Sequence, residues 1–114
     1  MTRIVPFFRV RDAEASAAWY AQLGFEVESR HRFAPGLPLF VALCRDDAHL
    51  FLSEHAGDAP PRSLAYVHVD DVDGLAAALG IEPEDADHGL REIEVVEPDG
   101  NRLRFGAPLR RDER

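Results

Sequence analysis

Cysteine is almost absent from the 114-residue chain: Cys44 is the single example. An intrachain disulfide and a zinc site built from cysteines are therefore both excluded. Because Cys44 lies in the apolar run "LFVALC", we expect a buried, unreactive thiol. The chain also lacks the roughly 18–20 consecutive apolar residues of a membrane span, and "MTRIVPFFRV" is not a signal peptide. We therefore expect a cytoplasmic protein without a membrane partner.

Positive charge is scarce as well, with 13 basic residues against 21 acidic ones and a net charge of −8. Nucleic-acid binding needs clustered Lys and Arg that displace counterions, so we expect no nucleic-acid partner. The negative charge is compatible with a cationic ligand, which it would attract. It equally fits the simpler role of keeping the protein soluble.

Catalytic motifs are missing too. The glycines of the chain occur singly, which argues against a phosphate-binding loop. The run "EPEDADHG" contains acids and a histidine, but a run of charges is usually a solvated loop. None of the serines considered as nucleophiles lies in a nucleophile elbow; these are Ser16, Ser29, Ser53 and Ser63.

The five histidines show no metal-binding spacing such as H-x-x-x-H. His49 and His55 lie in polar turn segments, and we expect both to be solvated. His31 lies between two arginines, which disfavours a cation there. A metal site that folding assembles from His31, His68 and His88 stays open, since it would leave no spacing signal.

Hydrophobic patterning predicts seven strands and two helices. Asp12 is expected to cap the first helix and one of the acids of "DDVD" the second, and Gly24 and Gly80 are expected to end them. In the first helix, Ala15, Ala18, Trp19 and Gln22 fall at helical spacing. Pro6 has no N–H, so the first strand should lie at a sheet edge. The predicted strands cover residues 3–10, 25–33, 39–44, 48–54, 63–69, 90–96 and 102–106.

The two halves of the chain repeat one another. "VRDAE" at 10–14 aligns with "VDDVD" at 69–73, and the helix ends "QLGFE" and "ALGIE" match. We predict an α+β fold of two βαβββ repeats that form curved mixed sheets around a cleft, the second repeat being shortened to the point that its middle strand could be missing. The predicted single domain, 1–114, contains a first module at 3–54, a linker at 55–62, a second module at 63–106 and a polar tail at 107–114.

Four stretches carry a family resemblance: "VPFFRVRDAEASAAWYAQLGFEV", "FVALCRDDAHLFLSE", "LAYVHVDDVDGLAAAL" and "GLREIEVVEPDGNRLRFG". In these the chain resembles the vicinal oxygen chelate superfamily (glyoxalase, bleomycin resistance protein and dioxygenase), and within it the bleomycin-resistance-type proteins. The resemblance implies a paired βαβββ fold and a homodimer, often with the first strand exchanged between subunits.

The resemblance also locates the metal ligands of the superfamily's enzymes. Carried over to this chain, those positions hold Val5, Phe51, Leu64 and Arg104. Aliphatic, aromatic and guanidinium groups do not ligate divalent cations, which need histidine or carboxylate donors. We therefore expect no metal, no cofactor and no catalytic residue.

The same resemblance suggests residues that contact a ligand. Phe40 and Ser53 fall at cleft positions with Phe33 nearby, and His68 and His88 stand where those proteins often carry tryptophan. Strand alternation should bring Tyr66 to the same face as His68. Flat rings favour a planar aromatic ligand, and cations also bind over them. The candidate binding residues are Phe33, Phe40, Phe51, Ser53, Tyr66, His68, His88 and Arg104, the last of which, with Arg102, could meet a ligand carboxylate or cap a subunit edge.

We therefore expect a non-catalytic protein that sequesters a DNA-damaging antibiotic, either bleomycin-like or a related natural product such as a mitomycin or an enediyne, and so confers resistance. The alternative is a metal-dependent enzyme of the superfamily: a dioxygenase, a lyase or a thiol transferase. A third hypothesis is an accessory or inhibitor-like module that binds a different small metabolite.

Overall fold

The structure, a computed structural model, describes residues 2–109. The backbone forms two compact units. The first runs from the N-terminus to Ser63 and also includes the turn Val96–Asn101. The second contains Leu64–Val95 and resumes at Arg102. Residues 110–114, most of the predicted polar tail, lie outside the described part.

The first unit is a βαβββ module with one four-stranded mixed sheet. The strand order is β1-β4-β3-β2, with β1 parallel to β4 and the other pairs antiparallel. One turn of 3-10 helix, Ala21–Leu23, follows the α-helix. The elements are β1 (Phe7–Arg9), α1 (Ala13–Tyr20), β2 (Glu26–His31), β3 (Phe40–Arg45) and β4 (Ala48–Ser53).

The second unit repeats this topology. Its order, β5-β8-β7-β6, matches the first sheet strand for strand, and β5 is parallel to β8. The predicted α+β fold of two βαβββ repeats is therefore confirmed. The middle strand is present but has only two residues. The elements are β5 (Leu64–His68), α2 (Val72–Leu79), β6 (Glu84–Asp85), β7 (Leu90–Val96) and β8 (Arg102–Pro108).

The first strand is shorter than the predicted span of 3–10. Pairing with β4 begins at the carbonyl of Pro6, which accepts a hydrogen bond from the Phe51 N–H at 3.0 Å. Proline cannot donate a ladder hydrogen bond, so β1 starts only after it. As expected, β1 lies at the edge of its sheet.

Helix α1 begins where Asp12 accepts a hydrogen bond from the Ala15 N–H at 3.1 Å, and it is followed by Gly24 with φ 88°. Its buried residues are Ala13, Ser16, Ala17 and Tyr20. Of the predicted helical set, Ala18 and Trp19 are not buried and Ala15 is exposed. None of the helices in the described part is long and apolar enough to cross a membrane.

The turn at Val96–Asn101 is held by a buried amide. Asn101 is fully buried; its Nδ2 donates to the Arg9 carbonyl and to Glu97 Oε1, both at 2.9 Å. Its Oδ1 accepts from the Ser63 N–H at 2.9 Å. One side chain thus links three segments of the first unit and satisfies their backbone groups.

Glu97 in this turn is a buried acid, only 2% exposed. Its Oε1 accepts hydrogen bonds from Asn101 and from the Asp99 N–H, but among the described residues Oε2 has no partner. Burial raises the pKa of Glu97, and the hydrogen bonds from Asn101 only partly oppose that rise. The ionised form of Glu97 therefore destabilises the first unit.

Replacing Glu97 with glutamine tests whether the buried charge of Glu97 lowers the free energy of unfolding. Because the folded-state pKa is raised, stability from Glu97 is present at low pH and lost as the pH rises through that pKa. Glutamine keeps one acceptor oxygen and removes the charge. We expect Glu97→Gln to raise the free energy of unfolding by about 1 kcal/mol near neutral pH, with a smaller gain in acid. Urea denaturation across pH measures this, and the exposed control Glu82→Gln should show no such trend.

Candidate functional site

Three phenylalanines cluster on one face of the first sheet. Strand alternation points Leu50 and Leu52 to the buried face and Phe51 to the other. The Phe51 ring lies 5.1 Å from Phe7 and 4.9 Å from Phe40, in edge and tilted arrangements. Since α1 covers the opposite face, this aromatic surface is left for another contact.

A pocket of about 670 Å³ opens where β2, β3 and β4 meet their loops. Its walls are mostly apolar, with a few polar side chains, which is typical of small-molecule sites. All of its residues belong to the first unit. They are His31, Phe33, Leu37, Pro38, Leu39, Phe40, Ser53, His55 and Asp58. We call this the loop pocket.

Phe33 is the most unusual residue of the loop pocket, because a phenylalanine side chain is 85% exposed there. The His31 ring meets it edge-on, with centroids 4.6 Å apart and planes at 85°. The Phe33 ring therefore lies almost entirely in water, with an edge-on contact to His31. Such a ring offers a stacking surface to a planar molecule.

The polar residues of the loop pocket form a small hydrogen-bonded network. Ser53 is 1% exposed, and its hydroxyl donates to Asp58 Oδ2 at 2.6 Å. Ser53 Oγ in turn accepts a hydrogen bond from the His55 N–H at 3.1 Å. His55 Nδ1 lies 3.6 Å from Asp58 Oδ1 and accepts from the Gly57 N–H at 3.2 Å. Ser53 therefore supports Asp58 rather than presenting a free hydroxyl.

In the second unit, β5 alternates as the sequence predicts. Leu64, Tyr66 and His68 are exposed, and the residues between them are less so. The Tyr66 and His68 rings are 5.0 Å apart with planes at 56°. The Tyr66 hydroxyl donates to Glu92 Oε2 at 2.8 Å. Partial desolvation of the hydroxyl, and then this bond to Glu92, raise the pKa of Tyr66 to about 12, so the phenol stays neutral.

Tyr66 reaches Glu92 by crossing β8 at a glycine. A Cβ atom on Gly106 would overlap the Tyr66 hydroxyl oxygen and would stand 2.8 Å from the ring. The absence of a side chain at Gly106 therefore lets the ring cross the strand.

His88 and Arg104 lie in the same unit but are engaged with acids. His88 Nε2 is 3.5 Å from Glu92 Oε2. Arg104 Nη2 donates to Glu94 at 2.7 Å, a bond that lowers the pKa of Glu94, and Arg102 approaches the same carboxylate at 3.6 Å. Arg102 and Arg104, for which contact with a ligand carboxylate was one of two possible roles, thus already share the carboxylate of Glu94.

Donors for a metal do not assemble. Across residues 2–109, no group of three or more His, Cys, Asp or Glu side chains could hold an ion. The side chains at the four positions carried over from the enzymes offer no metal donor. Phe51 lies in the aromatic cluster, and Arg104 donates hydrogen bonds to Glu94.

The prediction of a solvated His49 is wrong: its side chain is 10% exposed, and Nε2 is 2.8 Å from Arg3 Nη1. Cys44 is half-buried rather than fully buried.

Sequence reasoning missed several residues of the loop pocket: His31, Leu37, Pro38, Leu39, His55 and Asp58. His31 was considered only as a metal ligand. The last two lie in the segment 55–62, which was interpreted as a linker from its glycine and prolines. No periodicity or motif in the sequence marks these two residues, because a loop has neither.

The contact between Gly106 and Tyr66 gives a stability prediction. Gly106→Ala should reduce the free energy of unfolding by about 1–3 kcal/mol, the usual cost of overpacking. In a Tyr66→Ala background the same substitution should cost much less, because the ring that it displaces is gone. Urea denaturation of the four proteins of this double-mutant cycle measures the coupling. Equal costs in both backgrounds would mean that the ring does not cross the strand.

The fold of the chain is shared with proteins of known structure. A bleomycin-binding protein in complex with bleomycin matches with a TM-score of 0.72 and 24% identity, covering 94% of this chain and 98% of that one. A bleomycin resistance determinant encoded on the transposon Tn5 gives 0.72 and 25%, covering 95% and 98%. TnmS3, an antibiotic-binding protein from Streptomyces sp. CB03234, gives 0.72 and 19%, covering 95% and 97%.

Sequence comparison adds the family. No curated protein matches the chain in sequence. The family model described as "Glyoxalase superfamily protein" matches residues 1–112, which is nearly the whole chain. Together with the two βαβββ units, this match establishes that the chain belongs to the glyoxalase superfamily.

Proposed function

We propose that this protein binds a small aromatic antibiotic of the DNA-damaging kind in the cytoplasm and confers resistance by sequestering it. The observation that carries the proposal is the loop pocket of about 670 Å³, with Phe33 85% exposed at its wall. The similar structures support it, because they include a bleomycin-binding protein and an antibiotic-binding protein.

Binding in the loop pocket would rest on stacking and shape. Phe33 and Phe40 supply apolar rings, and a planar ligand that covers Phe33 removes its exposed surface from water. Leu37 and Pro38, which are also exposed, would close over the ligand edge. Sequestration involves no bond making, so affinity follows from these contacts and from how little the pocket reorganises.

We propose a second contact surface on the second unit, made by Tyr66 and His68 with His88 beside them. Tyr66 is held by Glu92, so its ring is positioned before a ligand arrives. Arg104 would contact the ligand through the aliphatic part of its side chain. Alternatively, its guanidinium would leave Glu94 and bind an anionic group of the ligand.

The enzyme alternative has a direct discriminating measurement. The four positions that hold metal in the superfamily's enzymes carry Val5, Phe51, Leu64 and Arg104, whose side chains are poor donors for divalent cations. Elemental analysis of the purified protein should therefore give substoichiometric metal. Stoichiometric iron, manganese, nickel or zinc, lost together with an activity on chelation, would favour the enzyme instead.

The ligand proposal predicts how a pocket variant binds. A thermal-shift screen with bleomycin, a mitomycin and an enediyne should find a stabilising compound. Calorimetry with that compound should show Phe33→Ala binding more weakly by about 1–3 kcal/mol, the scale of one aromatic stacking partner. Val96→Ala, at another exposed apolar residue, is the control and should bind normally. Wild-type affinity in Phe33→Ala would remove the loop pocket from the proposal.

We also propose a homodimer. The edge strand β1 exposes 39% of Phe7, and Ile4 just before it is 92% exposed. An open sheet edge with apolar side chains needs a cover, and a second copy of the chain supplies one. Sedimentation velocity at micromolar concentration should show a species of twice the 12.7 kDa chain mass. Ile4→Asp should shift it towards monomer, whereas a monomeric wild type would contradict the proposal.

A further inference from the structure

Asp58 has no arginine neighbour among the described residues, unlike three other acids of the first and second units. Arginine contacts Glu14 at 2.6 Å, Asp99 at 3.0 Å and Glu94 at 2.7 Å. The contacts of Asp58 are instead with the Ser53 hydroxyl and the His55 imidazole. No basic side chain other than histidine lines the loop pocket in the described part of the chain.

The His55 imidazole lies beside Asp58 but does not hydrogen-bond to it. His55 Nδ1 is 3.6 Å from Asp58 Oδ1, beyond hydrogen-bond distance, and it accepts a hydrogen bond from the Gly57 N–H at 3.2 Å. One carboxylate oxygen of Asp58 therefore accepts from Ser53, and the other accepts no hydrogen bond from the described residues.

A carboxylate in this position favours one kind of ligand group. Asp58 keeps 39% of its side chain exposed, and it shares the loop pocket with apolar residues such as Phe33 and Phe40. Apolar walls reduce the screening by water, so a positive donor that reaches Asp58 gains a strong, charge-assisted hydrogen bond. A neutral ligand would instead remove water from the Asp58 carboxylate without supplying a charged hydrogen-bond donor in its place.

We propose that Asp58 makes the loop pocket selective for planar aromatic molecules that carry a protonated amine, the ring lying on Phe33 and the ammonium group on Asp58. Ser53 is a positioning residue. It is buried, its hydroxyl donates a hydrogen bond to Asp58, and it orients the carboxylate without contacting the amine. This inference rests on the proposed binding role of the pocket and adds the chemical class of its ligand.

The test uses two probes of the same shape, 1-naphthylmethylamine and 1-naphthylmethanol, titrated into the full chain by NMR. Wild type should bind the amine about tenfold more tightly than the alcohol, the scale of a charge-assisted hydrogen bond. Asp58→Asn should bind both probes equally, with unchanged affinity for the alcohol. Its amide oxygen can still accept from Ser53, so the pocket keeps its shape.

Two further variants complete the experiment. Asp47→Asn removes the same charge from the exposed turn between β3 and β4, outside the loop pocket, and should keep the full preference. Ser53→Ala should lower the preference several-fold without weakening the alcohol, because Asp58 loses its support.

The outcomes separate this inference from the proposed function. Equal binding of both probes to wild type, or a preference that survives Asp58→Asn, would overturn the selectivity while leaving the pocket as a binding site. A wild type that binds neither probe would overturn the aromatic pocket itself, and the selectivity with it. A preference that Asp47→Asn also abolishes would assign the effect to net charge instead of Asp58.

Discussion

A four-stranded sheet has two faces, and each sheet of this protein has one helix of eight residues to cover them. Helix α1 packs on β2, β3 and β4, and α2 contacts β8. Within residues 2–109, no helix of the same unit covers the second face of either sheet. That constraint explains why large aromatic rings lie uncovered on both sheets, and why the candidate contacts all belong to those faces or to the loops at their ends.

The uncovered sheet faces of the two units differ in chemistry. The first sheet gathers the apolar rings of Phe7, Phe40 and Phe51, with the loop pocket at its end. The second sheet covers its free face with polar contacts, in which Tyr66 meets Glu92 and Arg104 meets Glu94. A repeated topology therefore does not imply a repeated surface, because only the buried positions of each strand must stay apolar.

The sequence predicted the topology because strand patterning and turn residues are local signals. It did not predict which face of α1 is buried, since a helix so rich in alanine has weak amphipathic contrast and packing decides its orientation. The alternation of β5 correctly predicted that Tyr66 and His68 share one exposed face of the strand. Asp58 and His55 were missed because a loop has no periodicity, and their relation to Ser53 depends on a turn that composition does not encode.

The overlap between Tyr66 and Gly106 also constrains the history of this sequence. A large ring at position 66 favours glycine at position 106, and a side chain at 106 favours a smaller residue at 66. The two residues lie on the neighbouring strands β5 and β8 but 40 positions apart in the sequence. Relatives that keep the tyrosine should therefore also keep the glycine, whereas a relative with a side chain at position 106 should carry a smaller residue at position 66.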